Sequence, residues 1–225
     1  MNNEQFILKN PPNKLITNRS KKEILRNNLL MMKIKQLLFA FYFLLTINLP
    51  IKSVNSAENR NLISPDTKVD YSKLADYLAE GNWRKANDET RRVLLKATGR
   101  SDIGWIKPDN IKTLSCWDLK TIDTLWRQYS DGKFGFSVQL PIYVSAGNRP
   151  GKLVGDDAYN VFGDRLGWRE DGDWIIFIED LNYSLSAPKG HLPNPRAEYS
   201  ITGGRLAYSS LAERMVQCNL DQNSN

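Results

Sequence analysis

The chain has 225 residues, of which 41% are hydrophobic and 25% charged, with a formal net charge of +6. That excess is confined to residues 1–57, which hold 9 Lys+Arg against 2 Asp+Glu, while the remainder holds 22 against 23. A near-neutral domain without a dense basic run excludes nucleic acid as the partner, because binding a phosphate backbone requires clustered cations.

Residues 1–57 read as a leader. Its first part is polar and rich in Asn and Lys; residues 33–57 then resemble a signal peptide or membrane anchor. Lys33 and Lys35 precede an apolar run, and the small residues of Val54-Asn55-Ser56-Ala57 form the exit. The apolar run is about 14 residues, short of the roughly 20 that span a bilayer as a helix. Cleavage after Ser56 or Ala57 is therefore the leading expectation, with export to a periplasm or lumen. Membrane tethering through residues 36–51 is the alternative, and an unprocessed leader implies a cytoplasmic or stromal protein. Met31 and Met32 compete with Met1 as the translation start, because a signal sits at the very front of a chain. Residues 58–69 are polar, contain Pro65 and read as a linker.

From Asp70 the apolar pattern takes a helical period. Tyr71, Leu74, Ala75, Tyr77 and Leu78 form one stripe, and Gly81 ends it. Asn82 then caps a second helix that runs through Trp83, Ala86, Thr90, Val93, Leu94 and Leu95 to Gly99, giving an αα-hairpin. A loop with Trp105 and Pro108 leads to a helix capped by Ser115, with Leu119, Ile122, Leu125 and Trp126 on one face and Asp131-Gly132 at its end. SVQLPIYVSAG is expected to be helical despite Pro141 and its β-branched residues, and DDAYNVFGDRLGWR to form a short helix ending at Gly167. DWIIFIEDLNYSLSAP is the one strand-like run. GGRLAYSSLAERMVQC is helical, offering Leu206, Tyr208, Leu211, Met215 and Val216 for burial. The expected fold class is all-α: a single compact helical domain over residues 70–220.

Groups for catalysis are scarce. There is one histidine, His191, and the chain lacks G-x-S-x-G, a Walker loop, H-E-x-x-H and any phosphate-cradling fingerprint. Glu170-Asp171-Gly172-Asp173 starts like a calcium loop, but the twelfth position from Asp171 is Asn182 rather than glutamate, so a solvated turn is the better reading. Cys116 and Cys218 fit no metal-ligand spacing; they bridge if the chain is exported and remain buried thiols if it is not. All six tryptophans follow the leader. They serve either as core or as the walls of a groove for a flat apolar ligand.

YLAEGNWRKANDETRRVLL, DLKTIDTLW, FGFSVQ, GDRLGWR and APKGHLP occur in this order between Tyr71 and Cys218, and with them the chain resembles the genomes-uncoupled-four family. The resemblance implies a helical domain shaped like a cupped hand that binds a tetrapyrrole and stimulates magnesium chelatase. It implies no required cofactor, with protoporphyrin IX or Mg-protoporphyrin IX as ligand and the chelatase large subunit as partner in chlorophyll biosynthesis. It makes the segment ending in APKGHLP a mobile loop beside the groove. Tyr183 stands where some members have tryptophan, and with Leu185, Leu192 and Pro193 it would cover the macrocycle. Arg196 and Arg205 would meet the propionates, Arg214 being a weaker third. His191 belongs to the same loop, where a local hydrogen bond is a better expectation than axial ligation. The leading function is thus a non-enzymatic tetrapyrrole-binding regulator. The alternative is an exported or membrane-tethered interaction module that uses the fold without a chelatase role.

Overall fold

A computed structural model describes residue 26, residues 29–33, residue 35, residues 61–195 and residues 204–221. The chain divides into two compact units, Met1–Asn59 and Arg60–Asn225. In the first, the described residues are helical; the apolar run 36–51, the cleavage region and Arg196 lie outside the described residues. Among the described residues, no helix is long and apolar enough to cross a membrane.

The second unit is mostly helical. Residues 62–69 of the expected linker, with Asp70, form a turn built into the domain: Ser64 and Val69 are buried, and Ile63 bridges Asp70. Thr67 and Tyr71 explain why, since both hydroxyls donate to the buried carboxylate of Asp118, Tyr71 at 2.8 Å and Thr67 at 3.0 Å. Helix α1 (Ser72–Ala79) buries Leu74, Ala75 and Leu78, the stripe set by its 3–4 spacing. Helix α2 (Trp83–Ala97) follows at once, its first turn capped by the Asn82 side chain, which accepts from the Lys85 N–H at 3.3 Å. The αα-hairpin is as expected.

Pro108 opens a helix the periodicity does not reveal, α3 (Pro108–Lys112), too short to display a stripe; proline suits the first turn, where its missing N–H has no partner to lose. Helix α4 (Cys116–Tyr129) starts under a Ser115 cap and buries Leu119, Ile122, Leu125 and Trp126. Trp126 donates from its indole to Thr90 Oγ1 at 2.9 Å, locking α4 onto α2. Helix α5 (Phe136–Ser145) is helical around Pro141, as expected, and carries the buried Gln139. Helix α6 (Asp156–Leu166) ends at Gly167. After it, Tyr143, Phe162, Trp168 and Tyr208 pack as a ring cluster with centroids 4.7–6.0 Å apart. Most of the described aromatics therefore serve as core.

The strand-like run resolves differently. Only Asp173–Trp174 (β2) pairs, with Arg169–Glu170 (β1), and a 3₁₀ turn follows at Ile178–Asp180. Trp174 and Ile175 have a core to cover, whereas Ile176 and Phe177 are 76% and 60% exposed, so no strand face exists to extend the ladder. Helix α7 (Gly204–Gln217) buries Ala207, Tyr208, Leu211, Ala212 and Met215. Leu206 and Val216, expected in its buried stripe, are 46% and 40% exposed because they flank that face. Just past α7, Cys218 forms a disulfide with Cys116 at the start of α4, closing 102 residues of chain.

Candidate ligand-binding site

Residues 187–195 are the natural starting point, and they form a strut rather than a loose loop. The Gly190 N–H donates to Lys133 O at 2.9 Å, and Leu192 O accepts from the Gly135 N–H at 3.0 Å. Gln139, buried on α5, donates its amide to Gly190 O at 2.9 Å and Pro193 O at 2.8 Å, while its oxygen accepts from the Tyr208 hydroxyl at 2.9 Å. The Trp168 indole donates to His191 O at 2.7 Å, and the Asn194 N–H reaches Asn87 Oδ1 at 2.8 Å. Gly190 is held at φ 80°, and a Cβ there would stand 2.8 Å from a Leu166 methyl. Only glycine meets both demands.

His191 is fully committed inside this strut. Its Nδ1 lies 2.6 Å from Leu166 O, and a carbonyl can only accept, so Nδ1 carries the proton. Its Nε2 then accepts from the Asn182 N–H at 3.2 Å. Burial pushes its pKa below the ordinary value, and the Leu166 hydrogen bond only partly opposes that. The ring is neutral and has no lone pair left for a metal. Leu192 and Pro193 are likewise buried, so neither presents a face to a ligand on this surface.

The other expected site residues lie elsewhere. Tyr183 is half-buried against α2, and its hydroxyl pKa is pushed up to about 12, first by burial and then by the Asp88 carboxylate. Arg84 of α2 pairs with Glu179 at 3.5 Å, which seats the 3₁₀ turn on the same helix. Leu185 is 52% exposed. Arg205 is engaged at the start of α6, with Nε 2.8 Å from Asp156 Oδ1 and a second nitrogen 2.6 Å from Val154 O. Arg214 is spent on Leu114 O at 2.7 Å.

Two residues that sequence reasoning left in a strand, Ile176 and Phe177, are exposed in the same segment as Tyr183 and Leu185. In segment 175–186 the exposed apolar side chains are Ile176, Phe177 and Leu185, interspersed with the exposed Glu179 and Asp180, and the segment follows Trp174, whose ring lies tilted 4.9 Å from that of Tyr159. Immediately beyond Leu185, Ser186–Lys189 and the Asp131–Lys133 turn line an open cleft of about 590 Å³. The Lys133 ammonium donates to Leu185 O, tying the cleft to the apolar segment. Among the described residues, no cluster of three or more His, Cys, Asp or Glu side chains is placed to hold a metal. Apolar walls beside a small polar cleft suit a flat, amphiphilic organic molecule.

Known proteins resemble this chain in sequence and fold. A family model described as GUN4-like matches residues 64–209. The chloroplastic tetrapyrrole-binding protein of Arabidopsis thaliana is 36% identical over 139 residues, 57% of this chain and 49% of that protein. A Ycf53-like protein of Synechocystis is 32% identical over 127 residues, 56% of this chain and 51% of its own. The chain thus spans about half the length of these curated relatives. The solved structure of GUN4 from Chlamydomonas reinhardtii aligns with a TM-score of 0.53 and 31% identity, covering 67% of this chain and 93% of that one. Ligand-free Arabidopsis thaliana GUN4 aligns with a TM-score of 0.51 and 28% identity, covering 64% and 93%.

Proposed function

This chain belongs to the GUN4-like family, and from that premise we propose that it binds a tetrapyrrole without catalysing its conversion, on the surface made by residues 175–186. The observation that carries the reading is the exposure of Ile176, Phe177 and Leu185 beside the half-buried Tyr183. Water-exposed apolar side chains at one place are costly unless something covers them. The Arabidopsis relative named for tetrapyrrole binding supports a tetrapyrrole as the molecule that covers them. Protoporphyrin IX and its magnesium form are the ligands of choice, being flat, apolar and acidic at one edge.

The energetics need no special chemistry. Covering roughly 400 Å² of macrocycle at about 25 cal/mol/Å² gives about 10 kcal/mol. Association costs of at least ~4 kcal/mol leave about 6, a dissociation constant in the tens of micromolar before any charged contact. The downstream role we assign is regulation of magnesium chelatase in chlorophyll synthesis, through its large subunit. That role requires the chain and the chelatase to share a compartment, so an intact leader favours it and a cleaved export signal favours the interaction-module alternative.

The experiment is an absorption titration of each porphyrin with the full chain. A saturable red shift of the Soret band is expected, weakened in Phe177→Ser and Ile176→Ser, whose side chains leave the core untouched. Absence of a saturable shift in the wild type overturns the binding reading. Magnesium insertion by chelatase, assayed with and without the loaded chain, tests the regulatory role separately.

A further inference from the structure

We propose that the Cys116–Cys218 disulfide is a redox-sensitive latch, opened by a dithiol, that sets how firmly α7 holds the 187–195 strut. The latch stands on its own geometry; its effect on ligand binding rests on the tetrapyrrole reading above. The bridge joins the first residue of α4 to the first residue after α7, with the two Cα atoms 5.2 Å apart. Its ends differ in access. Cys218 is 2% exposed whereas Cys116 is only half-buried, so a reductant has one sulfur to attack. Solvent-accessible disulfides are the ones that exchange, because the attacking thiolate must reach a sulfur. One thiolate of the dithiol attacks Cys116 Sγ, the S–S bond breaks, and Cys218 leaves with the electron pair and takes up a proton. The second thiolate of the dithiol then attacks its own partner sulfur in the mixed disulfide and releases Cys116, which is protonated in turn. The protein gains two electrons and two protons, and the dithiol becomes a disulfide.

A second clasp lets the fold outlast that reaction. Arg214, four residues before Cys218, donates from Nε to the carbonyl of Leu114, two residues before Cys116, at 2.7 Å. Leu211, Met215 and Leu220 are buried along the same end of α7, and the Leu220 N–H donates to Met215 O at 2.9 Å. The two thiols therefore stay close, and the oxidised form of the dithiol reverses the exchange. The consequence travels along α7. Tyr208 of that helix donates its hydroxyl to Gln139, whose amide holds Gly190 O and Pro193 O. Freeing the end of α7 from α4 lets its later turns open more often, and the Tyr208–Gln139 bond opens with them. This separates a latch from a staple. A staple acts by restricting the unfolded chain, so removing it changes neither local opening of the strut nor the affinity of the folded state for a ligand.

The test uses the full chain, without denaturant, in mixtures of reduced and oxidised dithiothreitol. Maleimide labelling counts the thiols, hydrogen exchange follows the Gly190 and Asn194 N–H groups, and protoporphyrin affinity is measured on each form. The bridge should open and re-form reversibly in the folded protein. In the reduced form both strut amides should exchange faster and protoporphyrin should bind more weakly, each by about fivefold, the low end of coupling between distinct sites. Cys116→Ala/Cys218→Ala should show the reduced behaviour whatever the dithiothreitol ratio, and reduced wild type supplies the same comparison without any substitution. A bridge that dithiothreitol cannot open in the folded chain, or reduction that leaves strut exchange at its oxidised value, overturns the latch. Faster strut exchange with unchanged affinity overturns its effect on the ligand. An oxidised wild type that binds no porphyrin overturns the tetrapyrrole reading, while labelling and exchange still decide the latch, and the two failures are thereby told apart.

Discussion

Replacing Gln139 by Leu tests how the 187–195 strut is held. The substitution preserves volume but removes an amide that serves Gly190 O, Pro193 O and the Tyr208 hydroxyl, all at 2.8–2.9 Å in the buried interior. A buried polar group left without a partner costs about 1–3 kcal/mol, so three such groups at the low end cost about 3 kcal/mol. For a domain of this size each kcal/mol lowers the melting temperature by about 2–4 °C, giving a loss of roughly 6–12 °C. Tyr208→Phe alone should cost about 1 kcal/mol, because it strands the Gln139 oxygen. In the Gln139→Leu background it should cost nothing or stabilise, since it then removes an orphaned hydroxyl. Urea denaturation of the two single variants and the double variant gives the coupling energy. Amide exchange should show the Gly190 and Asn194 N–H groups losing more protection than Leu125 in α4. Additive costs, with Tyr208→Phe equally damaging in both backgrounds, would refute the shared-amide account.

The single histidine gives a pH prediction. His191 is neutral in the fold with its pKa lowered by burial, so below the ordinary value of 6.5 the unfolded chain takes up a proton that the folded chain resists. Stability is full above pH 6.5 and falls as pH drops toward the folded pKa; urea midpoints should show this decline in the wild type and less of it in His191→Gln. Reduction of Cys116–Cys218, which closes 102 residues, should lower stability by about 2–5 kcal/mol, read as a drop in melting temperature with reductant that Cys116→Ala/Cys218→Ala does not show. Gly190→Ala places a Cβ 2.8 Å from Leu166 Cδ2 at φ 80° and should cost about 1–3 kcal/mol, with destabilisation measured by urea and no gain in a parallel Gly172→Ala control beyond the cost of its own positive φ.

Much of the fold was legible because burial follows helical period. Leu74, Leu78, Leu94, Leu119, Ile122 and Trp126 fall in stripes that only a packed helix explains, and each is buried. The period failed where an element is too short, as in α3, or where flanking apolar residues border the buried face, as Leu206 and Val216 do in α7. Ile176 and Phe177 illustrate a deeper limit. Their β-branched and aromatic character reads as a strand, and only the absence of a partner face leaves them exposed. At the site, the family resemblance pointed to Tyr183 and Leu185; the structure leaves Leu185 exposed and Tyr183 half-buried. The resemblance could not reveal that His191, Leu192 and Pro193 face inward, because that depends on hydrogen bonds donated by Gln139 and Trp168 and one accepted by Leu166 O, all distant in sequence and without periodic signature.

Tryptophan fluorescence of the full chain during a protoporphyrin titration is the most direct measure of the central claim. Trp174 precedes the exposed Ile176 and Phe177 and is itself half-buried, so a macrocycle on that surface must quench it. The account predicts saturable quenching with half-saturation in the tens of micromolar or lower. It further predicts weaker binding in Tyr183→Ala and Phe177→Ser, for the diacid and its ester alike, because contact with the ring does not involve the propionates. Quenching that never saturates, or that is unchanged in both variants, would contradict a tetrapyrrole site on residues 175–186.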